Sequence, residues 1–331
     1  MKFGVLVMTT YDTPVLRATL KSIVDTYSGP ILVSEDGDQP ARRCESLAKE
    51  MGVSYVKHEE WVNAGKSILK GMKHLDCDVV IITHSDVLFS SDWFPHIEEA
   101  WEKVYNHAGV INTQYYGYIT GEANHHAIEV YTRADYNSLY NYLTEGPGFP
   151  VRVVMNDTPW PIGLARCEHN DKPGIVRMPC TMSPCWSARK DFLSTLRTDI
   201  PISSEFNVTV ATQLIKNRLW SFTASNQPMI HQSTTDIGLI VRDKGEFRHR
   251  DFEYYTEHHG FNAMHVFCTA YADVYMRHKN LILSAANMGN LADVDYLFDV
   301  MTDRILNDNC YNCNVWCPVK GEASNNRTLE E

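Results

Sequence analysis

The stretch VVIITHSDVLFSSD, Val79–Asp92, decides the reading of this chain. An apolar, largely β-branched run of strand length stops abruptly at His84-Ser85-Asp86, and a second apolar segment opens directly behind it. A short run of this kind, bounded by polar residues, is the pattern of a buried strand in a parallel sheet. In open α/β sheets ligands bind beyond the carboxyl ends of such strands. Asp86 therefore falls where chemistry is expected. A carboxylate at that point, with an imidazole two residues earlier, suits a hard divalent cation held partly by a substrate's phosphates, which points to a nucleoside-diphosphate substrate.

Working outward, strand-like and helix-like segments alternate. Phe3 to Met8 reads as a strand, and Thr13-Pro14 supplies an N-cap and a first-turn proline for a helix with Leu16, Leu20, Ile23 and Val24 on its core face. Gly29-Pro30 stops that helix, and Ile31 to Val33 forms the next strand, ending in Ser34-Glu35-Asp36-Gly37-Asp38. Ala41 to Glu50 reads as helix, Val53 to Val56 as a short strand, and Asn63 to Leu75 as helix on the spacing of Ile68, Leu69, Met72 and Leu75. Asp92 is placed to cap a helix with Trp93, Ile97, Trp101 and Val104 along one face. A βαβα series of this kind implies a mainly parallel, doubly wound sheet. Three polar or acidic clusters then fall at strand ends: Thr9 to Asp12, Glu35 to Asp38, and His84 to Asp86. If their strands are neighbours, the three loops converge on one crevice; the alternative is that Asp and Gly are simply what loops contain.

Composition narrows the classes. With 331 residues, 44% hydrophobic and 21% charged, the chain is long enough for one large domain or a domain with an appendage. A formal charge of -11 argues against a surface that grips nucleic acid everywhere, while leaving room for a local basic patch. No apolar run is long enough to span a bilayer, and MKFGVLVMTTYD lacks the form of a signal peptide, so a cytoplasmic location is expected. Nine cysteines, scattered from Cys44 to Cys317, do not form an even disulfide framework, and reduced thiols are expected.

Four segments, in order, carry a family resemblance: VLVMTTYDTPVLRATLKSI, ILVSEDGD, VNAGKSILKGM and VVIITHSD. Together they resemble the glycosyltransferase A-fold enzymes, particularly the inverting family 2 type. The fold class that follows is α/β: a glycosyltransferase A-type, Rossmann-like, mainly parallel sheet with helices on both faces, an aromatic-rich insertion and a helical C-terminal extension. By that resemblance Thr9, Tyr11 and Asp36 hold the base and ribose of a nucleotide sugar, UDP-linked by family habit. Lys66 and Ser85 lie with the donor, and Asp86 carries a Mn²⁺ or Mg²⁺ ion that bridges its phosphates. The chain departs from the family pattern in having His84 where Asp is common, and imidazole suits Mn²⁺ better than Mg²⁺.

The resemblance resumes later. MPCTMSPCW, Met178 to Trp186, with the following SARKDFLSTL, looks like the family's acceptor-side strand and helix. SSEFNVTVATQLIKNRLWSF looks like the helix whose start carries the family's acidic catalytic base, and Glu205 is the carboxylate nearest the expected place. An inverting transfer needs such a base to take the acceptor hydroxyl's proton; the other reading of Glu205 is a carboxylate complementing a helix dipole. The segment from Leu219 to Ile230 leads to His231, where the family often places a metal-binding histidine, so that His84, Asp86 and His231 form the expected metal set. Arg242, Lys244, Arg248 and Arg250 follow as cations for the departing diphosphate, or as a solvated charged loop.

Residues 1–113 thus read as the nucleotide-sugar half, 114–177 as an acceptor or lid insertion, 178–250 as the acceptor-side half, and 251–331 as a helical extension with a Cys-rich tail. Tyrosines, Asn, His and Arg interleaved in the insertion suit stacking on sugars or bases. Cys310, Cys313 and Cys317 have partial zinc-ligand spacing, with buried or unligated thiols as the alternative. The expected partners are a nucleotide-sugar donor and a hydroxyl acceptor, either a soluble glycan or DNA bearing a hydroxymethylated base. Two rivals stand beside a glycosyltransferase. A sugar nucleotidyltransferase would need a glycine-rich loop after the first strand, and Thr9 to Pro14 has no glycine. A non-catalytic binding module on the same fold is the other.

Overall fold

The computed structural model describes residues 1–10, 14–36, 44–58, 64–89, 91–113, 116–117, 165–166, 177–178, 185–196, 216–224, 229–231 and 288–307, with separate helical positions at 210, 213–214 and between 274 and 286. The first half follows the alternation read from the sequence. β1 is Phe3–Thr9, α1 Pro14–Val24, β2 Ile31–Glu35, α2 Glu45–Glu50, β3 Ser54–Lys57, α3 Ala64–Gly71, β4 Val79–His84, β5 Val87–Phe89, α4 Trp93–Val104 and β6 Ala108–Thr113. Beyond these come β7 Tyr116–Gly117, β8 Ala165–Arg166, β9 Arg177–Met178, β10 Cys185–Arg189, α5 Lys190–Leu193, β11 Trp220–Ala224, β12 Met229–His231 and α6 Tyr296–Asn307.

Seven strands form the main sheet in the order β11-β6-β10-β4-β1-β2-β3. The pairs β1/β2, β1/β4, β2/β3 and β11/β6 are parallel, and β10 runs antiparallel to both of its neighbours. Both faces are covered, which is why β1 and β4 are apolar at nearly every position instead of alternating. Phe3, Val5, Val7, Val79 and Ile81 point into one core with Leu16, Leu20, Ile23, Trp93, Ile97 and Trp101 of α1 and α4. Leu6, Val80 and Ile82 point into the other, with Ile68, Leu69 and Met72 beneath and Phe192 and Leu193 of α5 beside them. α3 lies close: a side chain at Gly71 would bring its Cβ to 2.7 Å from Leu6 Cδ1 and 3.2 Å from Ser34 Oγ.

The C-terminal residues join the first of these cores. Val274, Ile282, Ala285 and Ala286 are buried there with Leu297, Phe298 and Met301 of α6. Phe298 packs on Trp220 with ring centroids 4.4 Å apart, and the Arg218 guanidinium lies 5.5 Å over the Phe298 ring. Arg218 adopts a left-handed backbone, φ 54°, at the end of a helical turn closed by a hydrogen bond from Leu219 N–H to the Leu214 carbonyl. Its side chain spans to α6, donating to Asp299 Oδ1 and the Asp295 carbonyl.

Several local expectations are corrected. The helix expected from Asn63 to Leu75 is α-helical only over Ala64–Gly71 and continues as one 3₁₀ turn, Met72–His74. Asp92 occupies the N-cap position of α4 but makes no side-chain cap hydrogen bond; its carbonyl is instead 2.8 Å from His96 Nδ1. Of Met178 to Trp186, Met178 ends β9, 179–184 lie outside the described residues, and Cys185 and Trp186 open the main-sheet strand Cys185–Arg189, so Ser187-Ala188-Arg189, expected in the following helix, is extended. Leu219 to His231 divides between two sheets, β11 in the large one and β12 in a three-stranded sheet ordered β5-β12-β7. Nothing in local sequence assigns strands to sheets, because that choice is made by distant partners.

Candidate functional site

The strand order places the polar clusters side by side. β1 lies between β2 and β4, so the chain reverses its direction of winding there, the position at which α/β sheets open a ligand crevice. Thr9 pairs with Glu35, and Met8 pairs with His84. The Asp36 N–H donates to the Thr9 carbonyl at 2.8 Å, which locks the two strand ends together just before the acidic loop departs. Thr9 and Asp36 are buried.

Glu35, the last residue of β2, is fully buried. Its Oε2 accepts hydrogen bonds from the Cys44 N–H and the Tyr55 hydroxyl, each at 2.9 Å, and its carbonyl accepts from His58 N–H at 3.0 Å. A carboxylate inside a protein is tolerated when hydrogen bonds replace its water. Here those bonds pin the start of α2 and the end of β3 to the strand that delivers Asp36. Beneath this lies a second polar group: His58 Nε2 is 2.9 Å from Ser34 Oγ, which is 3.1 Å from Ser67 Oγ in α3. Burial, then the nearby Lys70 and His74 charges, hold the His58 pKa below its ordinary 6.5. Lys66, adjacent to Ser67 in the first turn of α3, is half-buried.

At the other strand, His84 is exposed, Ser85 half-buried and Asp86 only 2% exposed. Ser85-Asp86 is thus the turn between His84, the last residue of β4, and β5, with the Asp86 carboxylate drawn inward. The small sheet adds a long-range relation: His231 of β12 pairs with Val87 of β5, the residue after Asp86, and on its other side with Gly117 of β7. The strand register therefore brings the backbone of His231, far along the chain, beside the residue that follows Asp86. Among the described residues no group of three His, Cys, Asp or Glu side chains is gathered for a metal.

Of the expected site residues, Thr9, Asp36, Lys66, His84, Ser85 and Asp86 lie on the ends of β1, β2 and β4 and the start of α3, and His231 lies in the strand paired to the Asp86 segment. Tyr11, Glu205, Arg242 and the cysteines Cys310, Cys313 and Cys317 lie outside the described residues, as does most of the insertion. Sequence reasoning missed Glu35 as an internal anchor and the His58, Ser34 and Ser67 group. The signal available for both was a polar residue inside an otherwise apolar strand.

Two buried cysteines are inert by environment. Burial pushes the Cys185 thiol up to about 12 and the Cys77 thiol up to about 11, far from the thiolate a nucleophile requires. Cys185 sits opposite Thr83 in the β10/β4 pair, and the Thr113 hydroxyl donates to its carbonyl, so this region braces the sheet.

A mainly parallel sheet with one reversed strand, helices on both faces, and acidic strand ends at the reversal point defines a glycosyltransferase A-type fold. The model of glycosyl transferase family 2 matches residues 5–156 of the chain. No curated protein matches. Similar solved structures include Staphylococcus aureus TarS 1-349, 14% identical, TM-score 0.45, covering 92% of each chain. They also include the mannosyltransferase PcManGT from Pyrobaculum calidifontis in complex with GDP-Man and Mn²⁺, 11% identical, TM-score 0.45, covering 93% of this chain and 87% of that one. A third is glucosyl-3-phosphoglycerate synthase from Mycobacterium tuberculosis with Mn²⁺, UDP and phosphoglyceric acid, 13% identical, TM-score 0.43, covering 72% and 73%. No helix among the described residues is long and apolar enough to cross a membrane.

Proposed function

We propose that this chain transfers a sugar from a nucleoside-diphosphate sugar, UDP-linked in this reading, to a hydroxyl acceptor with inversion. The observation that carries the proposal is the convergence of Thr9, Asp36 and Asp86 on three adjacent parallel strand ends, within the stretch that matches glycosyl transferase family 2. Thr9, Tyr11 and Asp36 hold the base and ribose, and Lys66 and Ser85 flank the phosphates. The donor chemistry of Asp86, His84 and His231, one carboxylate and two imidazoles, fits Mn²⁺ and, less well, Mg²⁺. Asp86, His84 and His231 would hold such an ion with positions left for phosphate and water, and the chemistry it would supply there is neutralisation of charge on the diphosphate.

Glu205 takes the acceptor proton, and Arg242 with its neighbouring cations faces the leaving group. The acceptor is a soluble glycan or a hydroxymethylated base in DNA. The two differ in salt response, since phosphate contacts make DNA binding weaken steeply with salt. Buried thiols at Cys44, Cys77 and Cys185 support a reducing, cytoplasmic setting.

The test is thermal stabilisation by UDP, GDP and their sugar conjugates, each with and without Mn²⁺, in wild type and Asp86→Ala. A ligand at about one hundred times its Kd adds ~2.7 kcal/mol to the folded state, a shift of several degrees. A Mn²⁺-dependent shift with one nucleotide, absent in Asp86→Ala, is expected. No shift with any nucleotide refutes the proposal, and binding without sugar transfer or donor hydrolysis reassigns the chain to a binding module.

A further inference from the structure

α1 carries a polar stripe inside its buried face. Thr19 and Ser22 are fully buried, and Thr26 lies one turn further along the same side. Each hydroxyl meets the segment that follows β4. Thr19 Oγ1 donates to the Ser85 carbonyl at 2.9 Å. Ser22 Oγ accepts from the Phe89 N–H at 3.2 Å, and Thr26 Oγ1 accepts from Trp93 Nε1 at 2.8 Å. The strap therefore touches positions 85, 89 and 93, the whole path from the Asp86 turn to the start of α4.

The three hydroxyls are not equivalent. Ser22 donates its own proton back to the Thr19 carbonyl and Thr26 donates to the Ser22 carbonyl, both at 2.7 Å, the local bonds that helical Ser and Thr commonly make. Thr19 instead spends its proton across the interface. The carbonyl it holds belongs to the peptide unit joining Ser85 to Asp86, and that unit is planar, so fixing its oxygen also fixes the N–H and the Cα direction of Asp86. Ser and Thr lower helix propensity, and buried hydroxyls are costly unless bonded, so packing alone would be better served here by Ala or Val.

We propose that Thr19 is a positioning residue for the metal-bound diphosphate: its hydroxyl sets the peptide from which the Asp86 carboxylate is presented. This rests on the proposed donor reading and goes beyond it, because Thr19 touches no ligand. A misplacement of a ligand carboxylate weakens what is shared between protein, cation and phosphate while sparing contacts to the base.

The experiment is calorimetric titration of the full chain with UDP, and with GDP in parallel, each with and without Mn²⁺, in wild type, Thr19→Val and Thr19→Ser. Thr19→Val keeps shape and removes the donor. Its Mn²⁺-dependent gain in nucleotide affinity should fall ~10-fold, with metal-free affinity within about twofold of wild type, and Thr19→Ser should restore the gain. Retention of the full Mn²⁺ gain in Thr19→Val overturns the proposal, as does a parallel loss of metal-free affinity, the mark of a merely structural role. If Thr19→Val does not fold, Thr19→Cys, of similar size but a weak donor, takes its place with the same two outcomes. Wild type that binds neither nucleotide in a Mn²⁺-dependent way overturns the donor reading and Thr19 with it. A normal wild type beside an indifferent variant overturns Thr19 alone.

Discussion

Replacing Glu35 by alanine removes a fully buried carboxylate that accepts from Cys44 N–H and Tyr55 O–H, each at 2.9 Å. A hydrogen bond to a charged group contributes ~1.5–3 kcal/mol. The Cys44 amide loses its partner in a buried position, whereas the half-buried Tyr55 hydroxyl recovers water, so the first bond counts near the top of that range and the second near the bottom. Glu35→Ala should cost ~4–5 kcal/mol, a large part of the ~5–15 kcal/mol by which folded proteins exceed unfolding. Glu35→Gln keeps an acceptor but loses the charge and should cost ~1–2 kcal/mol, and Tyr55→Phe ~1 kcal/mol.

The assay is urea unfolding of wild type, the three single variants and Glu35→Gln with Tyr55→Phe, so that the double-mutant cycle isolates the pair, with an expected coupling of ~0.5–1.5 kcal/mol. Because Glu35 fixes the strand end that delivers Asp36, Glu35→Ala should also weaken nucleotide binding under conditions where it is fully folded. A Glu35→Ala variant within ~0.5 kcal/mol of wild type, or with unaltered binding, would refute the assignment of Glu35 as an anchor.

His58 makes stability pH-dependent with a definite sign. Its folded pKa lies below the ordinary 6.5, so in the interval between the two values the unfolded chain binds more protons. The contribution of neutral His58 is complete above the unfolded value and is lost as pH falls through that interval; His58→Gln should flatten the fall in melting temperature between about pH 7.5 and about pH 5, and an unchanged slope counts against the assignment. Phe298→Ala, at a residue 1% exposed and 4.4 Å from the Trp220 ring, should cost ~3–5 kcal/mol in urea unfolding and raise amide exchange through α6; a loss under ~1 kcal/mol would mean that α6 adds little to the sheet edge.

Much of the site was legible because period and punctuation are local properties. The apolar runs at Phe3 to Met8 and Val79 to Thr83, each ending in polar residues, announced buried parallel strands, and both are buried strands of the main sheet. Thr9, Asp36 and Asp86 stood out as polar groups at the ends of such runs, and their adjacency follows from β1 pairing with both β2 and β4. The boundaries that failed were those set by tertiary contact. Ser187-Ala188-Arg189 favours no strand by itself, yet pairs with β4 on one side, and Ser187 receives the Trp101 indole N–H at 2.8 Å.

The sequence by itself determined the α/β alternation, the covering of both sheet faces and the acidic strand ends, since each depends on residues within one turn or one strand of each other. Only the tertiary structure decided which strands are neighbours, that β10 inserts in reverse between β4 and β6, and that β12 carries His231 beside the Asp86 turn. It also decided the work of Thr19, Glu35 and His58. Their side chains act on groups distant in sequence, and a hydrogen bond across the fold leaves no periodic trace along the chain.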